Sequence, residues 1–276
     1  TGVTLDDKQA LTRQLLASGA PIADINCVRR HLSRVKGGRL AAAAPALVTS
    51  WIVSDIPGDD AAAVASGPGV PDPTSLADAR AILARYRIDP PAAVARALLD
   101  PANETPKDLP AEFRILATAR DALTVADATL LSADSQGEAR ELGAAHARIA
   151  LDAAKAGGRY LFLSGGETVV TVANPSGQGG RNMEYLLGLA LALDGAPGIW
   201  AIACDTDGID GNTPAAGALI RPDSLARARA LGLDPAAFLA ANDSYTLFQA
   251  LGDLVVTGPT FTNVNDFRAI LIDGGS

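Results

Sequence analysis

Histidine and cysteine are scarce in this 276-residue chain, with two of each. His31 and His146 cannot furnish a zinc site of the usual multi-histidine kind. His146 sits within an alanine-rich helical run and reads as structural. His31 neighbours a basic turn, with ligand contact as its alternative role. Cys27 and Cys204 have no CxxC partner and no adjacent histidine, so thiol catalysis has no support and both read as buried filler. Aromatic residues are only 4%, which leaves no stacking platform, and a net charge of -8 lacks the basic footprint that nucleic-acid binding requires. The longest apolar stretch, residues 40–53, carries Pro45, Thr49 and Ser50 and reads as buried core rather than a bilayer span. No stretch reads as a signal peptide, so the expectation is a cytoplasmic protein without membrane or nucleic-acid partners. Two nucleotide fingerprints are also missing. No GxGxxG follows a first strand, since Gly177-Gln178-Gly179-Gly180 supplies only its first half, and there is no Walker A sequence.

What is present is a globular composition, 48% hydrophobic and 20% charged, on a length that suits one large or two ordinary domains. Strand-like runs alternate with helical ones, which makes the fold class α/β. Thr4 with Asp7 and Ser75 with Asp78 have capping-box spacing and predict helix starts. Residues 46–53 read as a doubly buried strand ending in Ser54-Asp55-Ile56-Pro57-Gly58-Asp59-Asp60. Carboxylates beyond a strand end suit either a ligand crevice or the cap of the next helix. Lys36 and Arg39 flank Gly37-Gly38, where backbone can approach an anion closely. A long helix before Gly157-Gly158 predicts a boundary there, giving domains 1–156 and 157–276.

The stretch 160–217 holds the densest chemistry. Two strand-like runs end in Ser164-Gly165-Gly166-Glu167 and in Asp205-Thr206-Asp207-Gly208, and Gly179-Gly180-Arg181-Asn182 opens a helix between them. Helix-start amides, a partial positive dipole and a guanidinium together suit a small anion. Asp205, Asp207 and Asp210 suit Mg²⁺ or substrate hydroxyls, or plain turn chemistry. Phosphoryl transfer is the reaction class that these residue types fit best.

Four segments in fixed order, SGGETVVTV, GGRNMEYLLGLAL, ACDTDGIDGNTPAAGA and GPTFTNVNDF, resemble the carboxy-terminal MOFRL domain of the type-2 glycerate kinases. NCVRRHLSRVKGGRLA, SDIPGDD and SGPGVPDP resemble that family's preceding domain. The resemblance implies two α/β domains with a ligand cleft between them, the first Rossmann-like and incomplete, the second of MOFRL type. It implies phosphorylation of D-glycerate at the 2-hydroxyl with ATP and Mg²⁺, and it admits a homodimer. The alternatives are an NAD(P)H-dependent hydroxypyruvate reductase, a label that many members carry, and a non-catalytic ligand-binding remnant.

Carried over by position, Arg181 is the expected catalytic residue. Ser164, Gly165, Gly166, Glu167, Asn182, Asp207 and Asp210 are expected at the substrate. Lys36, Gly37, Gly38, Gly179 and Gly180 are expected at nucleotide phosphates, and Asp55, Asp59 and Asp207 at the metal. Members of the family are longer at the amino end, and this chain starts at Thr1 rather than methionine, so a trimmed or partial chain is expected. It also departs from the family pattern at Met183, where glutamine is usual, at Gly69 for threonine and at Phe261 for glycine.

Overall fold

The computed structural model describes residues 2–56, 58–124 and 128–273. The chain divides into two compact units, Thr1–Ser54 with Asp59–Leu116, and Asp55–Gly58 with Ala117–Ser276.

In the first unit, α1 (Leu5–Ala17) starts on the expected capping box. The Thr4 hydroxyl accepts from the Asp7 amide at 3.2 Å, and the Asp7 carboxylate accepts from the Thr4 amide at 2.9 Å. Helix α2 (Ile22–His31) follows, then the single turn α3 (Arg39–Ala42), strand β1 (Val48–Val53), α4 (Leu76–Arg85), α5 (Ala92–Leu99) and β2 (Ala111–Ala117). Leu11 and Leu15 of α1 share one core with Ile25, Val28, Ile82, Leu83, Val94 and Leu98 from α2, α4 and α5. Among the described residues, strands β1 and β2 pair only with each other. The expectation of a doubly buried strand therefore fails: Ile52 is the one buried residue of β1, and Trp51 is 62% exposed. A two-stranded ribbon has no second layer to bury its outer face. Five helices and a ribbon are what the described residues of this unit form, not a wound parallel sheet of Rossmann type.

The second unit runs α6 (Ala119–Thr124), β3 (Thr129–Ser135), α7 (Ala139–Ala156), β4 (Arg159–Gly166), α8 (Arg181–Leu193), β5 (Ile199–Asp205), β6 (Gly217–Ile220), α9 (Ser224–Ala230), α10 (Pro235–Ala240), α11 (Ser244–Leu251), β7 (Leu254–Val255) and β8 (Asp266–Asp273). Its sheet has the order β3-β4-β8-β5-β6-β7. Only β3 and β4 are parallel, and every other pairing is antiparallel. The last strand enters between β4 and β5 and runs against both. The carboxyl ends of β4 and β5 and the amino end of β8 therefore meet at one edge of the sheet, with Ser164 opposite Arg268 and Asp205 opposite Asp266.

Helices α7 and α8 pack closely because each carries a glycine at the crossing. A methyl group at Gly143 would run into the Tyr185 carbonyl, and one at Gly188 into the Arg140 carbonyl. This contact and the β3–β4 pairing keep α7 and β3 in the second unit, so the compact units part at 116/117. The boundary expected at 156/157 lies inside that unit. Gly157-Gly158 does end α7, both with positive φ, but as a helix-to-strand turn. His146 is structural as expected: its Nδ1 lies 2.9 Å from the Tyr185 hydroxyl. Burial, with Arg268 adding to it, lowers its pKa to about 4.

Candidate active site at the ends of strands β4, β5 and β8

Arg181, the first residue of α8, is bound by three carboxylates. Its Nε donates to Asp266 at 2.8 Å, one terminal nitrogen to Glu167 at 3.2 Å, and the other to Asp205 at 2.7 Å. Three of the five guanidinium N–H groups are thus committed, and two are left for a ligand. The side chain is 25% exposed, so those two are within reach of one.

Asp266 is fully buried and shared. It also accepts from the Asn182 amide nitrogen at 2.8 Å and pairs with the buried Arg268. Arg268 donates further to the Gly165 carbonyl at 2.9 Å and to the Thr168 hydroxyl at 3.2 Å, with its guanidinium carbon 5.2 Å from the Tyr185 ring centre. Neither Asp266 nor Arg268 was assigned a role from sequence. The available signal was strand alternation, because Asp266 and Arg268 share the inward face of β8 with Ile270 and Ile272.

Asp210 caps α8 from a distant loop. One carboxylate oxygen accepts from the Asn182 amide at 3.1 Å, the other from the Met183 amide at 2.9 Å. Burial raises this carboxyl to about 6 against the pull of those hydrogen bonds. Burial also raises Asp205, with the negative charges of Asp266 and Asp207 adding to it and Arg181 opposing it.

This geometry changes several expectations. Asp210 is 0% exposed, and both of its carboxylate oxygens accept from amides of α8. Asn182 is likewise fully buried. Asp207 realises the turn alternative: its side chain accepts from the Ile209 amide at 2.8 Å. Asp205, grouped with its neighbours from sequence without a role of its own, is one of the three carboxylates on Arg181. Ser164, Gly165 and Gly166 are not an open turn but the buried last residues of β4, while Glu167 just beyond them is half-exposed.

The glycine segments also differ from expectation. Amides of Gly37 and Gly38 donate to the carbonyls of Ser66 and Gly67, and the Gly179 amide donates to the Asn212 side chain at 3.0 Å. They are not free for phosphate. A methyl at Gly177 would meet the carbonyls of Ala241 and Asn242, and one at Gly180 the Asp210 carboxylate, so these glycines serve close internal packing. At the start of α8 the amides of Gly180 and Arg181 have no hydrogen-bond partner among the described residues.

Lys36 belongs to the first unit, and Arg39 donates to the Asn103 carbonyl. His31 is fully buried between the Cys27 carbonyl at 2.9 Å and Glu104 at 3.1 Å, a structural placement. Burial pushes the Cys204 thiol up to about 12, which leaves it inert.

The metal expectation finds no assembled ligands. Asp55 belongs to the second compact unit and Asp59 to the first. Among the described residues no group of three or more His, Cys, Asp or Glu side chains comes together as a metal site. Beside Arg181 opens a cavity of about 500 Å³, walled by Val170, Val172, Pro175, Gly180 and Asn212.

The departures from the family pattern have physical settings. Met183 is fully buried in the second-unit core, and a side chain at Gly69 would strike the Ser50 hydroxyl. Phe261 is 98% exposed with φ +59, and nothing in the structure explains an aromatic there.

Residues 160–266 match the MOFRL family and residues 1–99 a domain of unknown function, DUF4147. Over 98% of this chain, a D-glycerate 2-kinase of Thermotoga maritima is 41% identical, with 68% of that protein covered. An Agrobacterium vitis protein named "Putative hydroxypyruvate reductase" is 56% identical over 98% of this chain and 65% of its own length. The crystal structure of a Thermotoga maritima glycerate kinase superposes with a TM-score of 0.88 at 39% identity, covering 98% of this chain and 68% of that one. The chain thus spans about two thirds of the length of these relatives. Domain content, identity and fold agree, and the chain belongs to the glycerate 2-kinase family built from DUF4147 and MOFRL segments.

Proposed function

We propose that the protein serves ATP-dependent phosphorylation of D-glycerate at its 2-hydroxyl, with Arg181 on the transferring phosphoryl group. The observation that carries this reading is a partly exposed guanidinium, fixed by three carboxylates, with two N–H groups to spare. A charge held in place before the reaction needs no reorganisation when negative charge develops on phosphoryl oxygens. The amides of Gly180 and Arg181 add two donors beside it. ATP supplies the phosphoryl group when bound. Asp205, its acidity weakened by burial, accepts the proton leaving the substrate hydroxyl. Four carboxylates (Glu167, Asp205, Asp210 and Asp266) face two guanidiniums here, so the surroundings of Arg181 are acidic overall. No step in this account is routed through magnesium; among the described residues no group of three or more His, Cys, Asp or Glu side chains forms a metal site.

The test is a coupled assay of ADP release with D-glycerate, run beside NADH oxidation with hydroxypyruvate. The expected result is glycerate-dependent ADP release and no NADH oxidation. Arg181→Lys keeps the charge on the buried carboxylates but loses the fork, and should lower turnover about 10³-fold or more while the protein stays folded by circular dichroism. Wild-type turnover in folded Arg181→Lys refutes the role of Arg181. NADH oxidation in place of ADP release refutes the kinase reading.

A further inference from the structure

The first unit holds a second chemical concentration, of opposite sign. Between α1 and α2 lies a cavity of about 600 Å³ whose wall includes Lys8, Arg13, Arg29 and Lys36. No carboxylate lines it. Among the described residues none of the four cations has a carboxylate within 4.0 Å. Arg29 reaches only the Asn26 side chain, and Lys36 only the Ala65 carbonyl at 3.4 Å. Four unpaired cations around one cavity are unusual in a chain of net charge -8, where acids are plentiful. Buried Leu11 and Leu32 also line the wall. An apolar lining lowers the local dielectric and strengthens attraction for an anion. Burial, with Arg29 adding to it, lowers the pKa of Lys36.

We propose that this cavity binds a small molecule carrying two or more phosphate charges. Lys8 and Arg13 sit on α1 and Arg29 on α2, two helices fixed by a shared core through Leu11, Leu15, Ile25 and Val28, while Lys36 follows α2 in a turn. The backbone positions from which these side chains reach the cavity are therefore set by the packing of the unit. Choosing a nucleoside triphosphate among the probes rests on the kinase reading, but the site itself does not.

Isothermal titration of the whole chain with pyrophosphate, ATP and a phosphorylated hydroxy acid tests the proposal without any turnover. At low salt at least one of the three should bind with a dissociation constant below about 1 mM. Arg29→Gln and Lys36→Met should each weaken binding about tenfold. Arg85→Gln removes an equally positive charge from α4, outside the cavity, and should leave binding unchanged. Where Lys36→Met does not fold, Lys8→Gln replaces it, with the same expected loss. Tightest binding by ATP identifies a nucleotide, and tightest binding by the phosphorylated acid identifies a product-like anion. The proposal is overturned if none of the three binds by about 10 mM. It is equally overturned if Arg85→Gln weakens binding as much as Arg29→Gln does. Neither result bears on glycerate-dependent ADP release, so the two readings fail separately.

Discussion

Each unit buries an arginine against an aspartate, and the two pairs end differently. In the first, Arg30 lies 3.1 Å from Asp72, with further bonds to the Ala62 carbonyl and the Thr74 hydroxyl at 3.3 Å each. The same Asp72 oxygen accepts from the Thr74 amide at 3.0 Å and hydroxyl at 2.7 Å, and among the described residues the other has no hydrogen-bond partner. In the second, Arg268 holds Asp266, and Asp266 passes the interaction on to Asn182 and to Arg181, which reaches solvent. The same two residue types tie down a loop in one case and aim an accessible guanidinium in the other. A buried ion pair is by itself weak evidence of a site. What separates the two cases is whether the network has an exposed end.

The largest expected effect sharpens that contrast. Arg30→Met leaves Asp72 with little but Thr74 and should cost the first unit about 3–5 kcal/mol. Arg268→Met leaves Asp266 still paired with Arg181 and Asn182, so the second unit should lose only about 2 kcal/mol. The chain has two tryptophans, Trp51 in the first unit and Trp200 in the second. Denaturant titrations followed by one tryptophan, with the other replaced by phenylalanine, report each unit separately. Equal losses in the two variants erase the distinction drawn between the pairs.

An intermediate effect concerns pH. The raised pKa of Asp210, about 6, means that its contribution favours the folded state fully below its ordinary value of 3.8 and is lost as pH rises through about 6. The lowered pKa of His146, about 4, works the other way, favouring the fold above 6.5 and fading as pH falls through about 4. In the wild type the two oppose each other. His146→Gln removes one of them, so the variant's second unit should lose more stability than the wild type as pH rises from about 4 to about 7. An unchanged slope shows that His146 is not part of the balance.

The first unit contrasts again at Glu104. Burial pushes its pKa up but is outweighed by hydrogen bonds from Lys107, the Leu76 amide, His31 and the Thr105 amide, which hold it at about 2. Its contribution is present above 4.5 and is lost as pH falls through about 2. The smallest effect is Thr4→Ala, which removes one half of the capping box on α1 and should cost about 1 kcal/mol in the first unit alone. A loss seen equally by Trp200 contradicts the division into two units.

What could be read from sequence was what is local. Both capping boxes formed as expected, at Thr4 with Asp7 and at Ser75 with Asp78, because a cap needs only four consecutive residues. Within the stretch 160–217 the jobs of the parts depend on partners far along the chain. The Asn182 and Met183 amides looked free until Asp210 arrived from another loop. Gly179 and Gly180 read as an anion cradle, whereas the Gly179 amide donates to the Asn212 side chain and Gly180 packs against the Asp210 carboxylate. Arg268 lies more than 80 residues beyond Arg181, and only the insertion of β8 between β4 and β5 brings them to a common aspartate. Short β6 was missed because GALI has too few residues for alternation to show.

The ribbon of β1 and β2 also bears on how the protein behaves as a colloid. Each strand has a single partner, and Trp51, Phe113 and Leu116 are all about half exposed or more. Unpaired backbone beside apolar side chains is a template for recruiting further strands from other molecules. Light scattering should therefore grow with protein concentration. The net charge of -8 restrains such contacts through mutual repulsion, and added salt, by screening that repulsion, should promote them.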